Sequence, residues 1–447
     1  MKIKNMTNIE KMDWLGKYKE RVVPAAEAAR VIKSGDRVVL GHAAGVPQLV
    51  PDALMSQRER LRGVQVYHMF TLNDGRYMTP EGAGHFRHIT NFVAGNSRTA
   101  VAEGRADFLP CFFYEVPALF NGIYPVDVAI VQVSVPDAEG FCSFGVACDY
   151  TKPAAEKAKV VIAEMNDRMP YIGGDNLIHI SELDYIVPVS SPLYELPAPH
   201  ITDVERRIGE HCASLVSDGD TLQLGIGAIP DAVLLFLKDK RDLGIHTEMF
   251  SDGIVELVRS GVVTGAGKSL HKGKLVATFL MGSQKLYDFA DRNPDVELYP
   301  VDYVNDPNVI SRNDHLISIN SCIEMDLQGQ VSSETIGLKQ FSGTGGQVDY
   351  IRGAARSKGG KSIIAVPSTA SGGKISRIVP FLTKGAAVTT SRNEVDYVVT
   401  EYGIAQLKGR TLKERAKALI AVTHPHFQPA LQAEYRMRFG EMNELDL

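Results

Sequence analysis

The sequence predicts an α/β protein of two similar, open, mostly parallel α/β domains. Three observations carry that expectation. Short apolar, β-branched stretches alternate with helical patterns, as in βαβ units. One proline-rich stretch interrupts the alternation, and the chain on either side of it opens in the same way. The 447 residues, 44% hydrophobic and 23% charged, have the balance of an ordinary globular chain large enough to need no disulfides or metal for stability.

The interruption is VPVSSPLYELPAPHITDVERR. Pro188, Pro192, Pro197 and Pro199 each remove a backbone donor and fix φ, so neither a helix nor a central strand survives there. It reads as an extended linker, dividing the chain into domains over residues 1–190 and 200–447. The first opens AAEAARVIKSGDRVVLGHAAGVPQLVPDAL and the second RIGEHCASLVSDGDTLQLGIGAIPDAVLLFL. Each reads as a helix, a Gly-Asp turn, a strand, a glycine-rich turn and a second helix with proline near its start. Further on, VAIVQVSVPDAEG and LISINSCIEMDLQG each place an Asp-x-x-Gly turn after a strand. The predicted strands are DRVVLGH, VDVAIVQV, KVVIAEM, DTLQLGI, GIHTEMF, KLVATFL, LISINSCIEM, KSIIAVPS and VDYVVT. In parallel sheets, ligands gather at the carboxyl ends of strands.

Composition excludes several classes. The net charge of −5 argues against a general nucleic-acid binder. Five cysteines without a C-x-x-C pair read neither as a disulfide framework nor as a zinc site, so no metal is expected. The N-terminal MKIKNMTNIEKMDWLGKYKE lacks the apolar region of a signal peptide, and no apolar run reaches the length of a membrane span. A soluble, cytoplasmic protein is expected.

Candidate chemistry lies mostly in the second half. In LQLGIGAIPDAV, Gly225 and Gly227 permit a tight turn, and the helix that follows can present free N–H groups to an anion; plain tight packing is the alternative. A dinucleotide site is the rival reading, with Glu248 placed 23 residues beyond Gly225, but Pro230 replaces the third glycine of that fingerprint. Glu248, in HTEMFSDG between His246 and Asp252, is either a nucleophilic carboxylate or a solvated acid before a turn. Gly343, Gly345 and Gly346 form either an anion-binding nest or a surface loop. Residues 351–392 hold Arg352, Arg356, Lys358, Lys361, Lys374, Arg377, Lys384 and Arg392 without one acidic residue. Glycine-flanked Lys361 and Lys374 suit phosphates, and a solvated face is the alternative. His42 and Arg98 are softer candidates.

LQLGIGAIPDAV, HTEMFSDG, FSGTGGQVDYIRGA, SIIAVPSTASGGKISRIVP and VVTEYGIAQLKGRTLKERAKALI together resemble the acetyl-CoA hydrolase/transferase family. They look most like its 4-hydroxybutyrate and butyryl-CoA:acetate CoA-transferase branch. The resemblance implies two similar CoA-transferase domains, the second carrying a catalytic glutamate at Glu248. It implies that coenzyme A is a substrate, transiently linked to Glu248, with no permanent cofactor. CoA contacts are implied for Gln223, Leu224, Gly225, Ile226 and Gly227, for Gly345 and Gly346, and for Ile323 and Thr369. Lys374 is added from the basic block. Acyl-CoA and short carboxylic acids are the expected partners of a homo-oligomer. Where the branch usually reads MPRTHGD this chain has MPYIGGD, which admits a short dicarboxylate such as itaconate or succinate. The other readings are an acyl-CoA hydrolase using the same glutamate and a non-catalytic acyl-CoA sensor.

Overall fold

The computed structural model of the chain describes residues 13–440. Its first sheet is made by β1 (Arg37–Leu40), β2 (Val64–Tyr67), β3 (Phe86–Thr90), β4 (Ala106–Phe108), β5 (Val128–Val133), β6 (Val160–Asn166) and β7 (Tyr185–Val189), in the order β7-β6-β5-β1-β2-β3-β4. Every pairing in it is parallel. The second contains β8 (Thr221–Leu224), β9 (Gly244–His246), β10 (Leu275–Ala277), β11 (Val296–Leu298), β12 (Leu316–Asn320), β13 (Lys361–Ala365) and β14 (Tyr397–Thr400), in the order β14-β13-β12-β8-β9-β10-β11. Adding seven to each label of the first order gives the second, so the two halves share one topology. An antiparallel strand, β15 (Gly403–Gln406), extends the outer edge at β14.

The shared plan reaches individual hydrogen bonds. Before β1, Asp36 accepts from the Lys33 N–H at 2.7 Å; before β8, Asp220 accepts from the Ser217 N–H at 2.7 Å. After β5, Asp137 accepts from the N–H groups of Glu139 and Phe141; after β12, Asp326 accepts from those of Gln328 and Gln330. The carboxylates close turns that leave backbone donors without other partners. β5 is buried along its whole length, as expected of a continuous apolar run covered on both faces.

Two features depart from the sequence expectation. Pro188 lies inside β7, in register with Met165 of β6. β7 is an edge strand, where a missing donor is tolerated, so irregular chain begins only after Val189. It ends at Thr202, whose side chain and that of Glu205 cap α1 (Asp203–Ser214) reciprocally. The second departure is larger. Gly173–Gly174, from the first half, pairs with Glu297 and Leu298 and so forms the outermost strand of the second sheet beside β11. The halves are therefore interlocked at MPYIGGD as well as joined by the proline stretch. Their cores also merge, since Met249, Phe279 and Met281 pack among the buried side chains of the first half. Among the described residues no helix is long and apolar enough to cross a membrane, and no group of three His, Cys, Asp or Glu side chains is arranged to hold a metal ion.

Gly174 has φ +94°, and a Cβ there would stand 2.3 Å from the Leu298 carbonyl oxygen. Gly174→Ala is expected to destabilise the protein by about 1–3 kcal/mol or more through backbone strain and collision at this strand. Chemical denaturation checks this; an unchanged midpoint would mean that the strand carries no share of stability.

Candidate active site

The carboxyl ends of both sheets meet over one cavity of about 500 Å³. The first half contributes His42 beyond β1, Met69 and Phe70 beyond β2, and Phe92 beyond β3. The second contributes Gln223 and Leu224 at the end of β8, Asn320 at the end of β12, and the segments that follow them. Glu248 lies in the wall two residues beyond β9.

Its backbone is held from both sides. The Glu248 carbonyl accepts from the N–H groups of Thr278 (2.9 Å) and Phe279 (3.2 Å). The neighbouring Thr247 hydroxyl lies 3.0 Å from the Leu224 carbonyl oxygen and accepts from the Leu224 N–H at 3.3 Å, which ties the end of β8 to the Glu248 segment. The Glu248 side chain is partly buried. Oε2 accepts from Asn305 Nδ2 at 2.9 Å, and the Gly346 backbone lies against the carboxylate and favours its charged form. Gly346 precedes α2 (Gln347–Arg356), and a Cβ on it would stand 1.9 Å from Oε2 and 2.4 Å from Asn305 Nδ2. A side chain at this position would displace both the carboxylate and the amide that holds it. Asn305 Nδ2 also donates to Asp349 Oδ2 at 3.3 Å, so one amide bridges two acids. Burial lifts the Glu248 carboxyl from its usual 4.5 to about 7; the Asp149 charge adds to the rise, and the bonds from Asn305 and Gly346 oppose it. Asp349, almost fully buried, is held well above the carboxylate range by burial and by the charge of Glu248.

Of the residues singled out from sequence, Gln223, Leu224, Gly225, Ile226, Ile323, Gly345 and Gly346 line the same cavity as Glu248. Gly227 follows, as the residue before the helix Ala228–Leu235. Thr369 and Lys374 lie in a small hairpin, Thr369–Ala370 against Ile375–Ser376, and do not border the cavity. Arg377, next in that chain, does border it. Its guanidinium donates to the carbonyls of Cys322 and Ile323, both at 3.1 Å. The basic block disperses: Arg352 pairs with Glu394 at 2.6 Å, Lys361 donates to the Leu215 carbonyl, and Arg392 bonds Gln328. His246 points away, with Nε2 at 2.9 Å from the Val304 carbonyl oxygen, and Asp252 accepts from the Ser283 N–H. Arg98 bonds the Phe341 carbonyl instead of facing the cavity. Tyr171, Ile172 and Gly173 are not among the residues that line the cavity, and the departure at MPYIGGD falls at the seam between the halves. Asn305 and Asp349 carried no sequence signal, because each is an ordinary polar residue in a helical pattern.

The comparisons with known proteins agree with this architecture. The acetyl-CoA hydrolase/transferase N-terminal domain matches residues 6–191 and its C-terminal domain residues 282–435. The 4-hydroxybutyrate coenzyme A transferase of Clostridium kluyveri is 59% identical, over 96% of this chain and all of the relative. The succinyl-CoA:cyclohexane-1-carboxylate CoA transferase of Geobacter metallireducens is 46% identical, over 94% of this chain and 96% of the relative. The crystal structure of 4-hydroxybutyrate CoA-transferase from Porphyromonas gingivalis superposes with a TM-score of 0.84 at 51% identity, covering 95% of this chain and all of that one. Fold and relatives define the class, a CoA-transferase. The chain belongs to the acetyl-CoA hydrolase/transferase family.

The raised Glu248 pKa has a consequence for stability. Its folded value of about 7 exceeds the ordinary 4.5, so any favourable contribution is complete below 4.5 and is lost as pH rises through 7. Glu248→Gln should therefore gain stability relative to the native chain across that window, by at most about 3 kcal/mol. Denaturant unfolding at pH 5 and pH 8 checks it; a difference between the two proteins that does not grow with pH would contradict the buried carboxylate.

Proposed function

We propose that the protein exchanges coenzyme A between short acyl-CoA thioesters and free acids of the 4-hydroxybutyrate, butyrate and acetate type, by a ping-pong route through Glu248. The carrying observation is the Glu248 carboxylate packed against Gly346 so closely that no Cβ fits between them, at the wall of the cavity where both sheets end. The relatives named for 4-hydroxybutyrate support the choice of acid.

The chemistry then needs neither metal nor ATP. A Glu248 oxygen attacks the donor's thioester carbon, the C–S bond breaks, and CoA leaves as a thiolate with a mixed anhydride behind it. The thiolate attacks the Glu248 carbonyl carbon and the anhydride C–O bond breaks, releasing the donor acid. The enzyme is left as a γ-glutamyl-CoA thioester, and the acceptor acid repeats the steps in reverse. The Gly346 N–H and Asn305 amide, aimed at the carboxylate, suit the charge that develops on its oxygen; one such donor contributes about 10²–10³ in rate. A carboxylate whose pKa is lifted toward 7 is also a better nucleophile than a solvated one. Coenzyme A enters as substrate, with the β8 turn Gln223–Gly227, Ile323 and the Gly345–Gly346 loop as its contacts. Thr369 and Lys374 would meet only its outer end. Hydrolysis by the same glutamate is disfavoured by the apolar side chains in the cavity lining, Met69, Phe70, Phe92, Met249, Phe279 and Met281, which offer water no hydrogen-bond partners. A succinyl donor is the second reading, favoured by the relative named for succinyl-CoA and by Arg377 at the wall.

Incubation with acyl-CoA alone should load Glu248 as a thioester, since the first half-reaction needs no acceptor. Borohydride, which reduces thioesters and not carboxylates, should then inactivate the enzyme, with the reduced residue mapping to position 248. Excess acceptor acid should restore resistance. Glu248→Ala should lose at least about 10³ in kcat. Absence of borohydride sensitivity, or modification at another residue, overturns the route.

A further inference from the structure

The exchange just proposed moves no proton, yet a buried acid–base pair stands in the same cavity. His42 is 1% exposed and its partner Asp149 is fully buried, with Nδ1 and Oδ2 3.0 Å apart. Asp149 Oδ1 already accepts from the N–H groups of Tyr150 (2.6 Å) and Thr151 (3.1 Å) and faces the Thr151 hydroxyl at 3.1 Å. The remaining oxygen is left for the His42 ring, and a carboxylate only accepts, so the hydrogen sits on Nδ1. Nε2 is thereby left as the ring's acceptor. It is buried and has no hydrogen-bond partner in the protein.

The surroundings offer none. The ring centroids of Phe279, Tyr150, Phe113 and Phe70 lie 4.8, 5.3, 6.0 and 6.3 Å from that of His42. Phe279 links the pair to Glu248, because its ring packs on His42 while its N–H bonds the Glu248 carbonyl. His42 therefore presents one unpartnered polar atom among aromatic rings, in the lining of the cavity that also holds Glu248. An unmatched polar atom in such a setting is costly unless a ligand meets it.

We infer that His42 is the specificity-determining residue for the acyl group, and that its Nε2 receives a hydroxyl carried at the far end of the acid's chain. The inference rests on the transferase reading above. A hydroxyl both donates and accepts, so it satisfies Nε2 whether the ring is neutral or charged. A methyl satisfies neither state, and a second carboxylate only the charged one. Asp149 is a positioning residue that selects the ring's orientation.

The test compares 4-hydroxybutyrate, butyrate and succinate as acceptors, each read as kcat/KM with acetyl-CoA as donor. The native enzyme should prefer the hydroxy acid to butyrate. In His42→Leu that ratio should fall by roughly tenfold to a hundredfold, whereas His42→Gln, whose amide reaches the Nε2 position, should keep part of it. A ratio unchanged in His42→Leu, or an equal loss with all three acids, overturns the inference. If His42→Leu does not melt cooperatively, the ratio is read on His42→Gln against His42→Asn, whose amide reaches only the Nδ1 position; equal ratios overturn it. Binding is read separately, as thermal stabilisation of the CoA-loaded protein by each acid. Stronger stabilisation by 4-hydroxybutyrate that vanishes in the variant supports the His42 role even if no transfer is detected, which would count against the transferase reading alone. No preference among the acids in the native protein overturns the His42 role even where transfer is observed.

Discussion

The structure turns on one constraint, a carboxylate held where solvent would not leave it. Glu248 lies against Gly346 and Asn305, which hold its side chain, and is largely withdrawn from solvent. Both conditions are met only because the two sheets end at the same place. Strand β9 brings the residue to the junction, and the first half supplies the aromatic and methionine side chains that cover it. The price is a carboxyl lifted to about 7, which is the cost of burying charge and, in the proposed route, the source of its reactivity.

Duplication explains how such a junction is built. Each half follows the same strand order and closes the same turns with the same aspartates. The site is nevertheless asymmetric. At the corresponding position after β1 the first half carries His42, with a buried acid behind it, and after β8 the second carries the glycine turn Gly225–Gly227. One copy thus supplies the pocket proposed for the acyl chain and the other the walls expected to meet coenzyme A, with Glu248 in the same cavity.

Much of this was legible in the chain. All nine predicted stretches contain strands, because buried parallel strands are written as continuous apolar runs. β2, β3, β4, β11 and β15 were missed, and β7 was read as linker; VQVY, FRHIT, ADF, VEL and GIAQ mix polar residues into runs too short to show a period. Pro188 misled about the linker's start, since nothing local distinguishes an edge strand from a loop. GTGGQ and LQLGIG stood out because glycines mark close approach before any contact is known. Asn305, Asp349 and the orphaned nitrogen of His42 did not, because their meaning lies in what faces them across the chain. The acid-free block of cations drew attention for a reason the fold does not share: its partners, such as Glu394 and the Leu215 carbonyl, come from outside the window in which the charges were counted.

The two residues Gly173–Gly174 have a wider meaning for the protein as a modular object. The halves look like separable copies, and the proline stretch invites cutting between them. A fragment starting after it would lack the strand that lies along β11, and would expose that edge's unpaired backbone as a template for self-association. The leading fragment would carry an orphan strand with no sheet to join. Two halves that share one plan are thus bound into a single body by the merged core and by a strand of two glycines.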